Sequence, residues 1–309
     1  MVMSTHGDMR PLSDEKMWID DPLRFERILS ATDDVFLKQC ATRFASDGYV
    51  LLEGVLDEST IESAKSAYRE WCAAADQGRL KVRSDGRPPR IVNLHGSRTE
   101  IAQVITRSSL VLRVSDFLFG YRTSVYTSLT FMFGTEQPIH RDTPVFRSQP
   151  EEFYFGIWFA LEDADEENGA LIAVRGGHRE GRVDPYAFAE ARPELLQRQQ
   201  PSGEPLWPAY QQAVYEKCMS EDKKTVVIPA KKGDAVIWHP QLPHGGGPIK
   251  NSMRSRMSIV FHVVPEGVPV YQADVFFRRE LVAKRESSFR YREFEGRQFV
   301  ANTASIGAN

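Results

Sequence analysis

The chain has 309 residues, with 39 lysines and arginines against 42 aspartates and glutamates and a formal net charge of −3. Its 41% hydrophobic and 26% charged residues are those of a soluble globular protein able to bury a sizeable core, and the near balance of charge gives no reason to expect nucleic acid as a partner. Cys40, Cys72 and Cys218 are isolated, with no Cys-x-x-Cys pair, which argues against a zinc site or a disulfide framework and suits a reducing cytoplasm.

In chain order, the polar start with Pro11 has no apolar stretch of a secretory signal, and residues 1–20 are expected to form a loose arm. No later run of about 18 apolar residues could cross a membrane. From Asp34 the spacing of Phe36, Leu37, Cys40 and Phe44 predicts a helix that stops at Gly48. Tyr49 to Leu52 predicts a short strand. Asp57 opens a second helix with Ile61, Ala64, Tyr68, Trp71 and Cys72 on one face. Residues 79–97, with Pro88-Pro89, predict a polar loop that could border a site, and helices are expected over about 98–106 and 109–118. The portion from about 20 to 120 is therefore read as mostly helical.

After Tyr121 short strands alternate with turn residues, the texture of a β-sandwich or barrel. Strands are expected at Val125–Phe133, Phe153–Leu161, Ala170–Val174, Thr225–Ile228, Asp234–Trp238, Met257–Val264 and Val268–Asp274. The acidic stretch Glu162 to Asn168 lacks the ligand spacing of a calcium loop and reads as a solvated turn, with Asn168-Gly169 as a hairpin signal. Residues 182–222 interrupt the strands with a proline-dotted, partly helical insertion. Arg278 to Arg297 mixes seven basic residues with four glutamates and reads as a solvated helix or tail. With no internal repeat and no Gly/Ser linker, residues 1–309 are read as a single domain whose β core spans about 121–275.

The chemistry centres on His140-Arg141-Asp142. On extended chain a histidine and a carboxylate two residues apart point to the same side. With one more histidine they would form the two-histidine, one-carboxylate triad that suits non-haem Fe(II) and leaves coordination positions open. Three later histidines compete for that place. His178 follows Arg175-Gly176-Gly177 in a turn, and His239 ends a strand before Pro240. His244 precedes Gly245-Gly246-Gly247, whose missing side chains would let a cofactor approach the backbone. His244 is favoured, with His239 as runner-up. Beyond it, Arg256, Ser258, Val260 and His262 share one face of a strand. A buried arginine there needs an anionic partner, and a guanidinium can grip a carboxylate bidentately while Ser258 adds a hydroxyl. A keto-dicarboxylate such as 2-oxoglutarate would chelate iron at one end and meet Arg256 at the other.

Together these pieces resemble the phytanoyl-CoA dioxygenase family. The similarity runs from Phe44-Ala45-Ser46-Asp47-Gly48-Tyr49-Val50 to about His262. It includes His140-Arg141-Asp142, Trp158-Phe159-Ala160-Leu161, Glu167-Asn168-Gly169, Gly176-Gly177-His178, Gly233-Asp234, His244 and Arg256. The resemblance implies a mainly β fold with flanking helices and a double-stranded β-helix (jelly-roll, cupin-like) core behind the helical N-terminal third, while the prolines and aromatics of the insertion over about 182–222 read on their own as lid-like. It also implies an Fe(II)- and 2-oxoglutarate-dependent oxygenase using O2. The metal ligands would be His140, Asp142 and His244, with Arg256 anchoring oxoglutarate and Arg254 taking its place if the register slips by two. Trp158 and Ser128 match positions that line the co-substrate pocket. The family's halogenating relatives replace the carboxylate, so Asp142 points instead to hydroxylation, desaturation or ring formation on a small-to-medium organic metabolite. Homo-oligomerisation is left open. Two rivals remain at this level: a non-catalytic ligand-binding β-helix with a vestigial site, and a cupin-like metalloenzyme that does not use oxoglutarate.

Overall fold

The computed structural model describes residues 16–74, 87–88, 90–143, 145–198, 205–220, 225–271, 277–278, 290–301 and 306–308. A short 3-10 turn at Trp18–Asp20 leads into α1 (Pro22–Ala31) and α2 (Val35–Asp47). Then come β1 (Tyr49–Leu52), α3 (Glu58–Ala74), β2 (Arg90–Val92), α4 (Thr99–Thr106) and α5 (Ser109–Phe119). Strands β3 (Thr123–Phe131), β4 (Arg147–Ser148), β5 (Phe155–Ala160) and β6 (Leu171–Val174) precede an insertion carrying α6 (Pro185–Glu190), α7 (Pro193–Gln197) and α8 (Leu206–Ser220). The chain continues through β7 (Thr225–Ile228), β8 (Ala235–Trp238), β9 (His244–Gly246), β10 (Ser258–Pro265), β11 (Val270–Tyr271), β12 (Tyr291–Phe294), β13 (Arg297–Val300) and β14 (Ile306–Ala308).

Local chemistry sets several of these boundaries. Asp34 accepts the Leu37 amide at 3.1 Å at the start of α2, and Gly48 ends that helix with φ +83°, a conformation costly for any side chain. Asp57 accepts the Thr60 amide at 2.7 Å at the start of α3. Pro185 and Pro193 open α6 and α7, where the missing amide hydrogen has no partner to lose.

The strands form a large sheet in the order β1-β8-β5-β10-β3, with β2 and β13 also paired to β3 and β12 beyond β13, and a small sheet in the order β7-β6-β9. One face of the large sheet, with Ile259, Phe261 and Val263, packs on the helices through Phe44, Tyr68, Ile101 and Leu118. The other face, with Trp158, Val236, Trp238 and Val260, meets Leu171, Ala173 and Ile228 of the small sheet. Central strands buried on both sides read as near-continuous apolar runs, as Phe155–Ala160 does. Among the described residues no helix is long and apolar enough to cross a membrane.

Five expectations are corrected. The described part of the N-terminal arm is not loose: Met17, Trp18 and Ile19 are buried, and Trp18 stacks on Phe25 and donates Nε1–H to the Phe117 carbonyl at 3.1 Å. Residues 1–15 lie outside the described residues. Asn168-Gly169 does not close a hairpin, because β5 belongs to the large sheet and β6 to the small one. Only Gly169 has positive φ there, and the Asn168 amide instead donates to Asp163 O at 2.8 Å and Ser255 O at 3.0 Å, holding a turn that crosses between sheets. The loop over 79–97 contains strand β2 and a buried Leu94-His95 turn; residues 75–86 and Pro89 lie outside the described residues. The basic segment forms β12 and β13 over its described end, turning at Glu295-Gly296, rather than a solvated helix or tail. Val268–Asp274 is strand only at Val270–Tyr271, with residues 272–276 outside the described residues.

Besides pairing with β3 and burying Phe299, the C-terminal hairpin is tied down by a partly buried ion pair. Arg297 donates to both Asp116 carboxylate oxygens at 2.8 Å, while Asp116 Oδ1 also accepts the Thr123 amide at 2.7 Å. Arg297→Met should therefore cost about 1–3 kcal/mol, the range for hydrogen bonds to charged groups. A urea midpoint unchanged from the parent would show that the hairpin is held by other contacts.

Candidate metal centre

His140, Asp142 and His244 come together with one ligand atom from each lying within 4.8 Å of the others. His244 begins β9, and His140 forms a backbone bridge with it: the amide of each donates to the carbonyl of the other at 2.9 Å. The small sheet thus carries both imidazoles. His140 Nδ1 lies 2.9 Å from the Pro138 carbonyl and His244 Nδ1 2.9 Å from the Leu242 carbonyl, so each Nδ1–H has an acceptor and each Nε2 keeps its lone pair. The Gln137 amide caps His140 Nε2 at 3.0 Å, as a donor would. Burial, aided by the neighbouring His244, pushes the His140 pKa down to about 4, so the ring is neutral at pH 7.

Asp142 is fixed from the large sheet. Its Oδ2 accepts Trp238 Nε1–H at 2.9 Å and lies 3.3 Å from His262 Nε2. Its Oδ1 is left 3.9 Å from His140 Nε2 and 3.8 Å from His244 Nε2. Burial alone would raise this carboxyl, but the facing His244 and His262 rings hold it below the usual carboxylate range. Trp238 reaches Asp142 because its cross-strand partner is Gly156: a Cβ there would lie 2.1 Å from the indole. His262 lies flat on Phe146, with ring centroids 3.5 Å apart. Two imidazole nitrogens and one carboxylate oxygen, each residue oriented by a second hydrogen bond, fit a divalent first-row metal.

A cavity of about 190 Å³ opens on these ligands. Arg256 lines it, is 3% exposed, and has no hydrogen-bond partner at Nε or Nη1; its guanidinium carbon stands 5.5 Å from the Trp158 ring centroid. Burial lowers its pKa to about 10, so it stays charged at neutral pH. Trp158 also lines the cavity, and its Nε1 is buried without a partner. Ser258 opens β10, two residues after Arg256 and two before the cavity-lining Val260; it is not itself among the residues that line the cavity, and its Oγ is buried and unpaired. Arg254 lies elsewhere, donating to both oxygens of Asp165 at 3.0 and 2.9 Å. The other pocket position, Ser128, does not line this cavity: its hydroxyl sits 2.7 Å from His95 Nδ1 on the opposite face of β3 from Leu129 and Phe131.

The competing histidines are used for packing. His239 Nε2 meets Asp20 at 3.1 Å and its Nδ1 accepts the Gln241 amide at 3.0 Å, fastening the N-terminal turn. His178 Nε2 faces the Ala45 carbonyl at 3.2 Å. The glycine run has a second reason besides cavity access. A Cβ on Gly245 would meet Gln137 O at 2.5 Å, so glycine lets β9 press against the chain leading to His140. Sequence reasoning missed Trp238, His262, Gln137 and Arg90 as residues of this cavity. For Trp238 the available signal was Gly156 inside an otherwise bulky apolar strand, where a missing side chain marks a close approach.

Metal binding separates these assignments. His244→Ala should abolish tight binding of one Co(II) per chain by equilibrium dialysis, and His239→Ala should retain it at a lower melting temperature. Trp238→Phe, which removes the donor to Asp142 and keeps the aromatic bulk, should weaken binding by roughly 10–100-fold. Full affinity in His244→Ala would remove that residue from the set.

The profile of the family described as "Phytanoyl-CoA dioxygenase (PhyH)" matches residues 44–258. The peroxisomal phytanoyl-CoA dioxygenase of Mus musculus is 20% identical over 234 residues, covering 66% of this chain and 61% of that protein. The chain therefore matches less than two thirds of that relative's length. Among solved structures, the non-heme alpha-ketoglutarate-dependent carbocyclase SnoK from nogalamycin biosynthesis superposes with a TM-score of 0.59 at 17% identity, over 85% of this chain and 96% of its own. EctD from S. alaskensis, solved with 2-oxoglutarate and 5-hydroxyectoine, gives 0.55 at 16%, over 81% and 86%. These two establish likeness of fold. With the profile spanning most of its length, the chain belongs to the phytanoyl-CoA dioxygenase family.

Proposed function

We propose that the protein is an Fe(II)- and 2-oxoglutarate-dependent dioxygenase of one domain, with a double-stranded β-helix core, acting on a small-to-medium organic metabolite. The observation that carries this reading is Arg256, a charged, buried guanidinium with unpaired donors that opens onto the same cavity as the three ligands. A buried cation without an anion is costly, and a carboxylate of the co-substrate would relieve that cost. His140, Asp142 and His244 would hold the iron. Arg256 would take the distal carboxylate of oxoglutarate, with Ser258 Oγ and Trp158 Nε1 as further unpaired donors nearby. When bound, iron and oxoglutarate supply the activation of O2, with oxoglutarate oxidised to succinate and CO2.

The chain's own residues set the conditions for that chemistry. The lone pairs of His140 and His244 and the free oxygen of Asp142 converge, and their outer hydrogen bonds prevent the ligands from turning away. Leu129, Phe131, Val145, Phe146 and Val260 give the cavity an apolar wall that excludes water and accepts an organic substrate. The expected product carries an oxygen atom from O2 or has lost two hydrogens.

Arg256→Ala should raise the oxoglutarate concentration needed for half-saturation by about 30-fold or more, since losing one partner of a buried charge pair costs on the order of 2–5 kcal/mol. Arg254→Ala should change it little. The check is anaerobic titration of the Fe(II)-loaded protein with oxoglutarate, followed by succinate release in air. The reverse ranking would place the anchor at Arg254, and absence of succinate in the parent would end the oxygenase reading.

The insertion over about 182–222 is proposed to cover the cavity, with residues 199–204 and 221–222 outside the described ones. Most of its apolar side chains serve packing: Phe188, Leu206, Tyr210 and Val214 are buried with Ile139 and Val174. Trp207 differs, because it lines the cavity from α8. One helical turn later, Gln211 brackets the backbone between two of the ligands. Its Nε2 donates to Arg141 O at 2.9 Å and its Oε1 accepts Arg141 N–H at 3.3 Å. Trp207→Ala should weaken substrate binding and leave oxoglutarate affinity nearly unchanged. A variant that only melts earlier, with no change in substrate-dependent succinate formation, would leave packing as the role of Trp207.

A further inference from the structure

Arg256 is not alone in the cavity. Arg90, the first residue of β2, lines it from a strand held between β14 and β3, where Ile91 and Val92 pair with Thr130 and Leu129. The residue is half-buried: its Nε is buried with no hydrogen-bond partner, and no carboxylate among the described residues pairs with its guanidinium. Burial alone lowers its pKa, with no opposing charge to offset the effect. It stands close enough to the ligands for its charge to be felt at His140. A guanidinium serving only the fold would be expected to find carbonyl or carboxylate partners, because a buried unpaired charge destabilises the folded state.

Charge balance in the loaded site sharpens the point, and it rests on the oxygenase reading above. A ferrous ion against the Asp142 carboxylate leaves one positive charge, and Arg256 and Arg90 add one each. The two carboxylates of oxoglutarate neutralise two of these three. One positive charge remains in a largely apolar cavity, where its effect on a ligand is stronger than in water. We propose that Arg90 is a recognition residue for the primary substrate, and that this substrate is an organic anion bearing a carboxylate or a phosphate. Its anionic group meets Arg90, and its hydrocarbon part lies against Phe131, Phe146 and Trp207, within reach of the metal. Substrate selection then combines one charge-assisted contact with apolar burial, and a neutral molecule of the same shape is selected against because it leaves Arg90 unpaired.

The test uses the full chain loaded with Co(II) and oxoglutarate under nitrogen, titrated calorimetrically with phenylacetate, phenyl phosphate and the neutral phenylacetamide as probes. The parent should bind at least one of the anions about tenfold or more tighter than the amide, the scale of one charge-assisted hydrogen bond. Arg90→Gln should erase that preference and Arg90→Lys should keep part of it. Oxoglutarate affinity, measured separately, should be nearly the same in parent and both variants. The ligand-free melting temperature of Arg90→Gln should be unchanged or higher, which a guanidinium needed for folding would not allow. Equal binding of anion and amide by the parent, or no binding of any probe, overturns the proposal. So does a preference that survives in Arg90→Gln. A loss of oxoglutarate affinity confined to Arg90→Gln assigns the residue to the co-substrate and also overturns it. Failure of the parent to bind Co(II) and oxoglutarate at all is a different result, and it strikes the oxygenase reading itself.

Discussion

Asp142 has to be held by one oxygen and left open at the other, and much of the molecule is arranged around that requirement. Trp238 on β8 and His262 on β10 both address Oδ2, which leaves Oδ1 toward the two histidines. Each anchor has its own support, Gly156 under the indole and Phe146 under the imidazole. The carboxylate is thereby referenced to the large sheet, while His140 and His244 are joined by backbone hydrogen bonds at the edge of the small one. The three ligands therefore meet only when the two sheets are at the correct separation, which the Trp158, Val236, Leu171 and Ala173 packing between them determines. Coordination geometry is in this sense a property of the core.

The same reasoning separates what the residues reveal locally from what they do not. His140 and Asp142 were legible because the alternation of an extended chain puts them on one side, and the elements around Val35–Asp47 and Glu58–Ala74 because capping aspartates and apolar spacing agree. Trp238 and His262 were not, because their role exists only across strands far apart in the chain: Trp238 contacts a residue 96 positions away and His262 one 120 away. Asn168-Gly169 misled for a related reason. A local turn signal says that the chain reverses, and says nothing of which sheet receives it. Short β2 lay hidden in a polar segment because three residues have no periodicity to read, and pairing with β3 and β14, both distant in the chain, makes them a strand.

Arg141 connects the metal ligands to the insertion in a way the triplet itself does not advertise. Its guanidinium is fully buried and donates to four carbonyls, those of Gln241, Gly181, Gly177 and Glu180, at 2.7–3.1 Å. Gln241 lies in the loop leading to His244, and Gly177 to Gly181 form the approach to the insertion. With Gln211 bracketing its backbone, Arg141 is held on both sides by the elements that must move if the cavity is covered and uncovered. A shift of α8 cannot occur without disturbing the peptide between two ligands. If the insertion closes over the cavity as proposed, its closure would be coupled to order at the metal centre, each stabilising the other.

Three arginines in one region, Arg141 and Arg256 buried and Arg90 half-buried, differ in what their guanidinium groups meet. Each guanidinium nitrogen of Arg141 donates to at least one carbonyl, so its burial is compensated within the chain. Arg256 and Arg90 have unpaired donors facing a common cavity, and their desolvation weighs against the folded state for as long as the cavity holds no anion. That cost has a functional consequence. An arginine already paired with a carboxylate of the protein would have to exchange one partner for another, and little net free energy would be left for the ligand. An unpaired one places its whole interaction at the disposal of whatever anion enters, so affinity for a charged ligand and stabilisation of the loaded protein rise together. Under the proposed roles of Arg256 and Arg90, stability given up in the ligand-free chain would thus be the source of selectivity in the loaded one.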